Sequence, residues 1–405
     1  MNKLQRNRDQ HFDIFDIPYY NKLKKYLQFL GQDPHQRKAI RNIIVTVLVI
    51  STTSIFIPTS FEFYVSICNK DMGAAIECMP HLTASAISTV KILNVYFYRE
   101  NFKQLFDFVT EEWKRLTLNN GIHVLEEITV QGSKFAQLYR YTILTFTAFF
   151  LLVPLIFPIL DIVLPLNETR PRQQIMKVNY LVFNGDDYFC YVYLHLAWGA
   201  VIVVVSVVAV DSLYILTIHH NSGLFAVCGY QVQKVAGSEK SFTNEAIMES
   251  YMHEQFKNCV ITHDRALQFY HVLNESLRIS YLLQVGFIMI GISAIAVQMT
   301  VSLDTPEEAL RAALFLIAKQ FHLFMISLPG QILLDHCSNL SNNIYGSTWY
   351  RMPVKIQKML HTMQMKTQKL CTLTAGGLYT MNMENFGTTF KTCMSYFTML
   401  TSLKE

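Results

Sequence analysis

Four positions near the C-terminus have the residue types and spacing to line water and close it off. On a helix of about 3.6 residues per turn, Thr392, Ser395, Met399 and Leu403 fall on one stripe, with Thr388 a turn further back. The stripe carries hydroxyls along most of its length and is apolar at its far end. A helix buried in lipid has no use for such a row. A helix lining water does, and an apolar ring at one end gates by dewetting. A helix–helix seam also concentrates Ser and Thr, and the stripe alone leaves both readings open.

Other chemistry-bearing residues are scattered. Lys91, Lys319 and Lys391 fall inside apolar stretches, where a charge marks a functional site or an ion pair. Lys91 is expected near an inner end, snorkelling to the interface. Lys391 lies roughly 80° around its helix from Met399. Lys319, with His322 one turn on, is expected to face a polar cavity or to pair with Asp211 or Glu77. The pairs Asp335-His336 and His263-Asp264 are adjacent, so on a helix they point apart, and no triad or paired-carboxylate pattern stands out. An enzyme is therefore not expected. His219, His220, His253, His263 and His271 lie along one segment without the spacing and carboxylate of a zinc site, so neither metal nor cofactor is expected. Cys68, Cys78 and Cys190 fall near the side expected to be oxidising, where a Cys68–Cys78 bridge is allowed.

The elements that must hold these residues are membrane helices. Of 405 residues, 51% are hydrophobic and only 16% are charged, which excludes an ordinary soluble domain. The basic residues cluster in loops, so no nucleic-acid partner is suggested. No apolar h-region of a signal peptide is visible in the polar opening segment. Seven stretches are long enough for a hydrocarbon core of about 30 Å. They cover residues 43–64, 74–98, 141–164, 190–218, 279–301, 309–334 and the C-terminal 376–405. Spans two and six are less apolar, as suits helices inside a bundle. The expectation is an all-α membrane protein. Its parts are a cytosolic segment 1–42, helices one to four with a ligand-binding bundle over 43–218, and a cytosolic helical extension, or anchor, over 219–278. Helices five and six follow over 279–334, then a cytosolic loop and anchor helix over 335–375, and a pore-lining helix seven over 376–405. The Asn/Ser/Gly-rich middle of Leu328–Thr374 and Pro353 are expected to break the helix before an amphipathic helix over 356–369.

Lysine and arginine concentrate in the N-terminal segment and in the loops after spans two, four and six. The positive-inside rule puts the N-terminus in the cytosol and the C-terminus outside. The sequon at Asn167 then lies outside the cell, as the expected glycosylation site, and those at Asn274 and Asn339 lie inside.

The run PGQILLDHCSNLSNNIYGSTWY, then Pro353, LTAGG and FKTCMSYFTMLTSLKE, resembles the C-terminal signature of insect odorant receptors. The N-terminal YYNKLKKYLQFLGQDPHQ is similar to the opening of such receptors from ants and bees. The resemblance implies a multi-pass plasma-membrane protein of olfactory sensory neurons. It implies a heterotetrameric, non-selective cation channel with a shared co-receptor, gated by a small volatile odorant or pheromone. This chain lacks the co-receptor's long cytosolic insertion between spans four and five, so it looks like a tuning subunit. From the family's pocket location and from depth, the expected lining is Cys78, His81, Leu82, Phe146, Phe149, Phe150, Tyr193, Trp198, Leu314, Phe315 and Ala318. Met399 and Leu403 match the family's gate, and Thr392 and Ser395 line the pore beneath. The alternative is a seven-span transporter or lipid-handling membrane protein.

Overall fold

The computed structural model describes residues 14–33, 36–118, 121–163, 174–181, 183, 185, 188–237, 245–301 and 306–404. These form eleven α-helices and one two-stranded ladder. The helices are α1 (Pro18–Phe29), α2 (Lys38–Cys68), α3 (Met72–Phe97), α4 (Arg99–Leu118), α5 (Ile122–Leu152), α6 (Ile156–Val163), α7 (Phe189–Gly237), α8 (Glu245–Val301), α9 (Pro306–Tyr345), α10 (Val354–Thr367) and α11 (Met383–Lys404). The ladder is β1 (Thr374–Ala375) and β2 (Tyr379–Thr380).

Five helices are long and apolar enough to cross a membrane: those over Lys38–Cys68, Ile122–Leu155, Phe189–Gly237, Ala246–Thr300 and Ala309–Tyr345. The more polar α3 and α11, expected as spans two and seven, do not reach that standard among the described residues.

The sequence explains the breaks between helices. Lys70 takes a left-handed φ of 62° after α2, and the Asp71 carboxylate accepts from the Ala74 amide at 3.0 Å, capping α3. Pro154 lacks an amide donor, so α5 tightens through a 3-10 turn before α6.

The packing is organised around α7. Every residue from 206 to 225 is buried, and the helix packs against α5, α9, α8, α3 and α2. A helix that is apolar all round belongs in the middle of a bundle. At 49 and 57 residues, α7 and α8 run far past a hydrocarbon core of about 30 Å. Their continuations pair with each other and with α4 and α10. Met252, Phe256, Cys259, Ala266, Phe269 and Leu273 form the buried stripe of α8 there. Buried Glu112 of α4 sits between Arg115, 2.5 Å away, and Arg265 of α8, which also pairs with Glu111.

Two elements differ from expectation. The Asn/Ser-rich stretch does not break α9, which stays helical to Tyr345. Cys337, Leu340 and Ile344 are buried, and Gln233 of α7 donates to Asn343 at 3.1 Å. Tertiary packing overrides weak propensity, and the chain turns only from Gly346. The seventh helix begins at Met383 rather than Gly376. Gly376 and Gly377 take φ of 64° and 81°, which turns β1 back onto β2. This hairpin docks on α8, the Gly376 amide donating to the Arg278 carbonyl at 3.0 Å and Tyr270 donating to the Thr372 carbonyl at 2.8 Å.

Candidate functional site

Helix α11 has two unlike faces. Thr389 and Cys393 are buried toward α8 and α9. Thr388, Thr392 and Ser395 are exposed on the other face, and Met399 is 50% exposed. The Thr388 and Thr392 hydroxyls donate to the carbonyls of Glu384 and Thr388 at 3.1 and 2.9 Å, so the oxygen lone pairs remain outward. The start of the helix is fixed to α9, where Gln331 accepts from the Met383 amide at 3.1 Å. The side chain of Leu403 and residue Asn167 lie outside the described residues.

A second assembly occupies the half of the bundle nearer the α2–α3 turn. His81 of α3, Phe150 of α5 and Phe315 of α9 make a closed triangle of rings. Centroids lie 5.7 Å apart for His81–Phe150, 5.4 Å for His81–Phe315 and 5.2 Å for Phe150–Phe315. Cys78, almost one turn along α3, is fully buried, while Leu82, Phe146 and Ala318 are half-buried. Tyr193 of α7 donates to the Leu151 carbonyl at 2.7 Å and stacks on Phe189. Phe149, Trp198 and Leu314, expected to point inward, lie on the outer surface at 65%, 58% and 46% exposure. Phe149 borders an open groove of about 280 Å³ together with Tyr141, Leu144 and Leu152. Neighbouring residues on a helix point about 100° apart, and here Phe150 and Phe315 take the inward face while Phe149 and Leu314 turn outward.

Beneath the triangle lies a polar network that sequence reasoning did not assemble. Lys91 of α3 is fully buried and paired with Asp211 of α7. Lys91 also donates to Gln284 of α8 at 2.9 Å, and Tyr139 of α5 donates to Asp211 at 2.7 Å. His322 Nε2 of α9 stands 3.0 Å from both Asp211 and Gln284. One nitrogen serves only one of them at a time, as donor to the carboxylate or acceptor from the amide. Lys91 therefore does not snorkel, and Lys319 does not pair with Asp211. Nor does Lys319 pair with Glu77, which is held by Lys177 at 2.7 Å. Burial works against the Lys177 ammonium, but Glu77 outweighs it and leaves the lysine above its ordinary pKa. The signal for the network was present in the sequence. A lone acid such as Asp211 in an apolar span demands a cation.

Cys68 and Cys78 are both free, as are the other six cysteines. No cluster of three or more metal-ligating side chains occurs among the described residues.

The model of the family described as 7tm Odorant receptor matches residues 71–394. No curated protein matches the sequence. Among solved structures, the olfactory receptor OR5 from Machilis hrabei in complex with eugenol is similar in fold, with a TM-score of 0.71 at 11% identity. The match covers 96% of this chain and 100% of that one. A second structure of the same receptor gives 0.69 at 12% identity, covering 96% and 98%. The family match spans most of the sequence, and the chain belongs to the odorant receptor family.

Proposed function

We propose that this multi-pass membrane receptor is the odorant-binding subunit of a ligand-gated, non-selective cation channel, with α11 as its pore helix. Membership of the odorant receptor family makes it a receptor and not an enzyme. The observation that carries the channel reading is the division of α11. One face is locked onto α8 and α9, and the hydroxyl row with Met399 is turned outward. Copies of that face from neighbouring subunits would converge on water. Met399 and Leu403, four residues apart, would form the dry ring, and Thr392 and Ser395 the wetted wall below.

The ligand is a small, mostly hydrophobic volatile, held where His81, Phe150 and Phe315 meet. The similar fold in complex with eugenol supports a ligand of this size class. The partner subunit is a shared co-receptor in a heterotetramer of the plasma membrane. Seven spans are proposed, with α3 and α11 added to the five long apolar helices, and the basic-residue asymmetry supports an N-terminus in the cytosol.

The test is whole-cell recording with and without a co-receptor subunit against a volatile panel. A ligand-evoked cation current that needs both chains is the expected result. A protein at the surface that passes no current for any volatile points to the transporter or lipid-handling alternative.

A further inference from the structure

We propose that the ligand of this receptor is a hydrophobic carboxylic acid, and that Lys319 is the cation that receives its head group. The inference rests on the receptor reading above and names the chemical class of its ligand.

Two lysines lie within the bundle, and the protein treats them differently. Lys91 has a carboxylate and an amide oxygen on its ammonium and is completely enclosed. Among the described residues Lys319, on α9, has one hydrogen-bond partner, the Thr83 hydroxyl of α3 at 3.4 Å, and His81 and His322 lie within range of its charge. That hydroxyl already lies 3.0 Å from the Met79 and Pro80 carbonyls of its own helix, so it offers the ammonium only a lone pair. The acids of the neighbourhood are taken. Asp211 is held by Lys91, Tyr139 and His322, and Glu77 by Lys177. Among the described residues no carboxylate pairs with Lys319. An ammonium has three donors, and a partly desolvated one with a single long contact is unfavourable until an anion arrives.

The surroundings of Lys319 suit a head group with an apolar tail. Phe315 is one turn before it on the same face of α9, and closes the ring triangle with His81 and Phe150. Opposite, on α8, stands Gly291. A Cβ there would come 3.8 Å from the Lys319 ammonium, 3.7 Å from its Cε and 3.0 Å from the Thr83 hydroxyl. The glycine therefore lets α8 approach Thr83 and Lys319 closely with no side chain between them. Arg311, two turns before Lys319, adds positive charge near His81, although its guanidinium already donates to the Ile175 carbonyl at 2.5 Å. A carboxylate on Lys319 with its chain laid against the three rings uses both the ammonium and the apolar surface beside it. A neutral ester or alcohol offers the ammonium an acceptor without the charge, and so a weaker bond.

The experiment compares octanoic acid, methyl octanoate, octanol and octane on the receptor co-expressed with a co-receptor subunit, with surface receptor quantified. The acid is expected to activate at the lowest concentration. Lys319→Met is expected to raise the acid's half-activating concentration by about tenfold or more, the scale of a lost charge-assisted bond. The same variant should leave the ester nearly unchanged, and Lys319→Arg should keep the acid preference. The proposal is overturned if the unmodified receptor responds to ester or alcohol as readily as to acid, or if Lys319→Met keeps full acid potency at equal surface density. Current evoked by other volatiles but not by octanoic acid also overturns it, while leaving the receptor reading intact. Silence toward every volatile removes both. The head-group series on the unmodified receptor decides the matter even where a variant does not reach the surface.

Discussion

At the scale of single residues, the buried Lys91–Asp211 pair sets the terms for the interior. It binds α3 to α7, and through Gln284, Tyr139 and His322 it reaches α8, α5 and α9. Two charges taken out of solvent hold together only while each has the other, and removing one strands its partner. Lys91→Met is therefore expected to destabilise the receptor by about 3–5 kcal/mol. The double variant Lys91→Met/Asp211→Leu should recover much of that loss, since no charge is then left buried alone. Thermal unfolding of the detergent-solubilised protein reads both. Losses that simply add in the double variant would mean the two residues are not coupled. This pair also shows what the sequence could reveal. Lys91 and Asp211 were each visible as charges in apolar stretches, but not their meeting, because 120 positions separate them in the chain. The inward aromatics were half legible for a related reason. A stretch as uniformly apolar as residues 141–152 does not mark which face is inside, and only packing selects Phe150 over Phe149.

At the scale of elements, α9 is the continuous piece that connects the ring triangle with the root of α11, the proposed pore helix. It carries Phe315, Lys319 and His322, passes Pro329 and Gly330, and meets the start of α11 at Gln331. At Gly330 the two elements touch so closely that a Cβ would stand 2.0 Å from the Met381 carbonyl oxygen. No side chain fits there unless the hairpin and α11 move. Gly330→Ala is expected to cut the ligand-evoked current per surface receptor several-fold. Gly286→Ala on α8, where an added Cβ meets nothing within 4 Å, should have little effect. Equal currents from the two variants would show that the α9–α11 contact does not matter to gating. The long helices were readable from apolar length alone, and their ends were not. The SNLSNN run looks like a break, but it is held helical by the buried Leu340 and Ile344 on either side of its later half. The GG pair read as helix is a left-handed turn, and nothing in composition distinguishes a glycine tolerated in a helix from one needed for its φ.

At the scale of the whole molecule, the chain leaves two kinds of surface uncovered. One is an apolar belt, with Ile43, Val47, Ile50 and Ile57 of α2 and Phe149 and Leu152 of α5 exposed, which suits lipid. The other is the hydroxyl row of α11, which suits water. The proposed orientation rests on the basic loops. A tag before Met1 should be hidden on intact cells and stained after permeabilisation, and staining of intact cells would reverse the topology. With that orientation, Met399 would stand near the outer end of the proposed pore helix. On the channel reading a ring of flexible apolar side chains there would exclude water at rest, and the methionine, unbranched and adaptable, packs less rigidly than a β-branched residue would. Ligand seated among α3, α5 and α9 would act on the root of α11 through α9 and draw the outer ends of the pore helices apart, wetting the ring. Met399→Ser and Leu403→Ser each put a hydroxyl where the closed state needs a dry surface. Each is expected to raise resting current, or to change relative permeability among cations, at unaltered surface density. Receptors carrying either change that keep the original resting current, permeability and ligand response would move the gate away from this helix end.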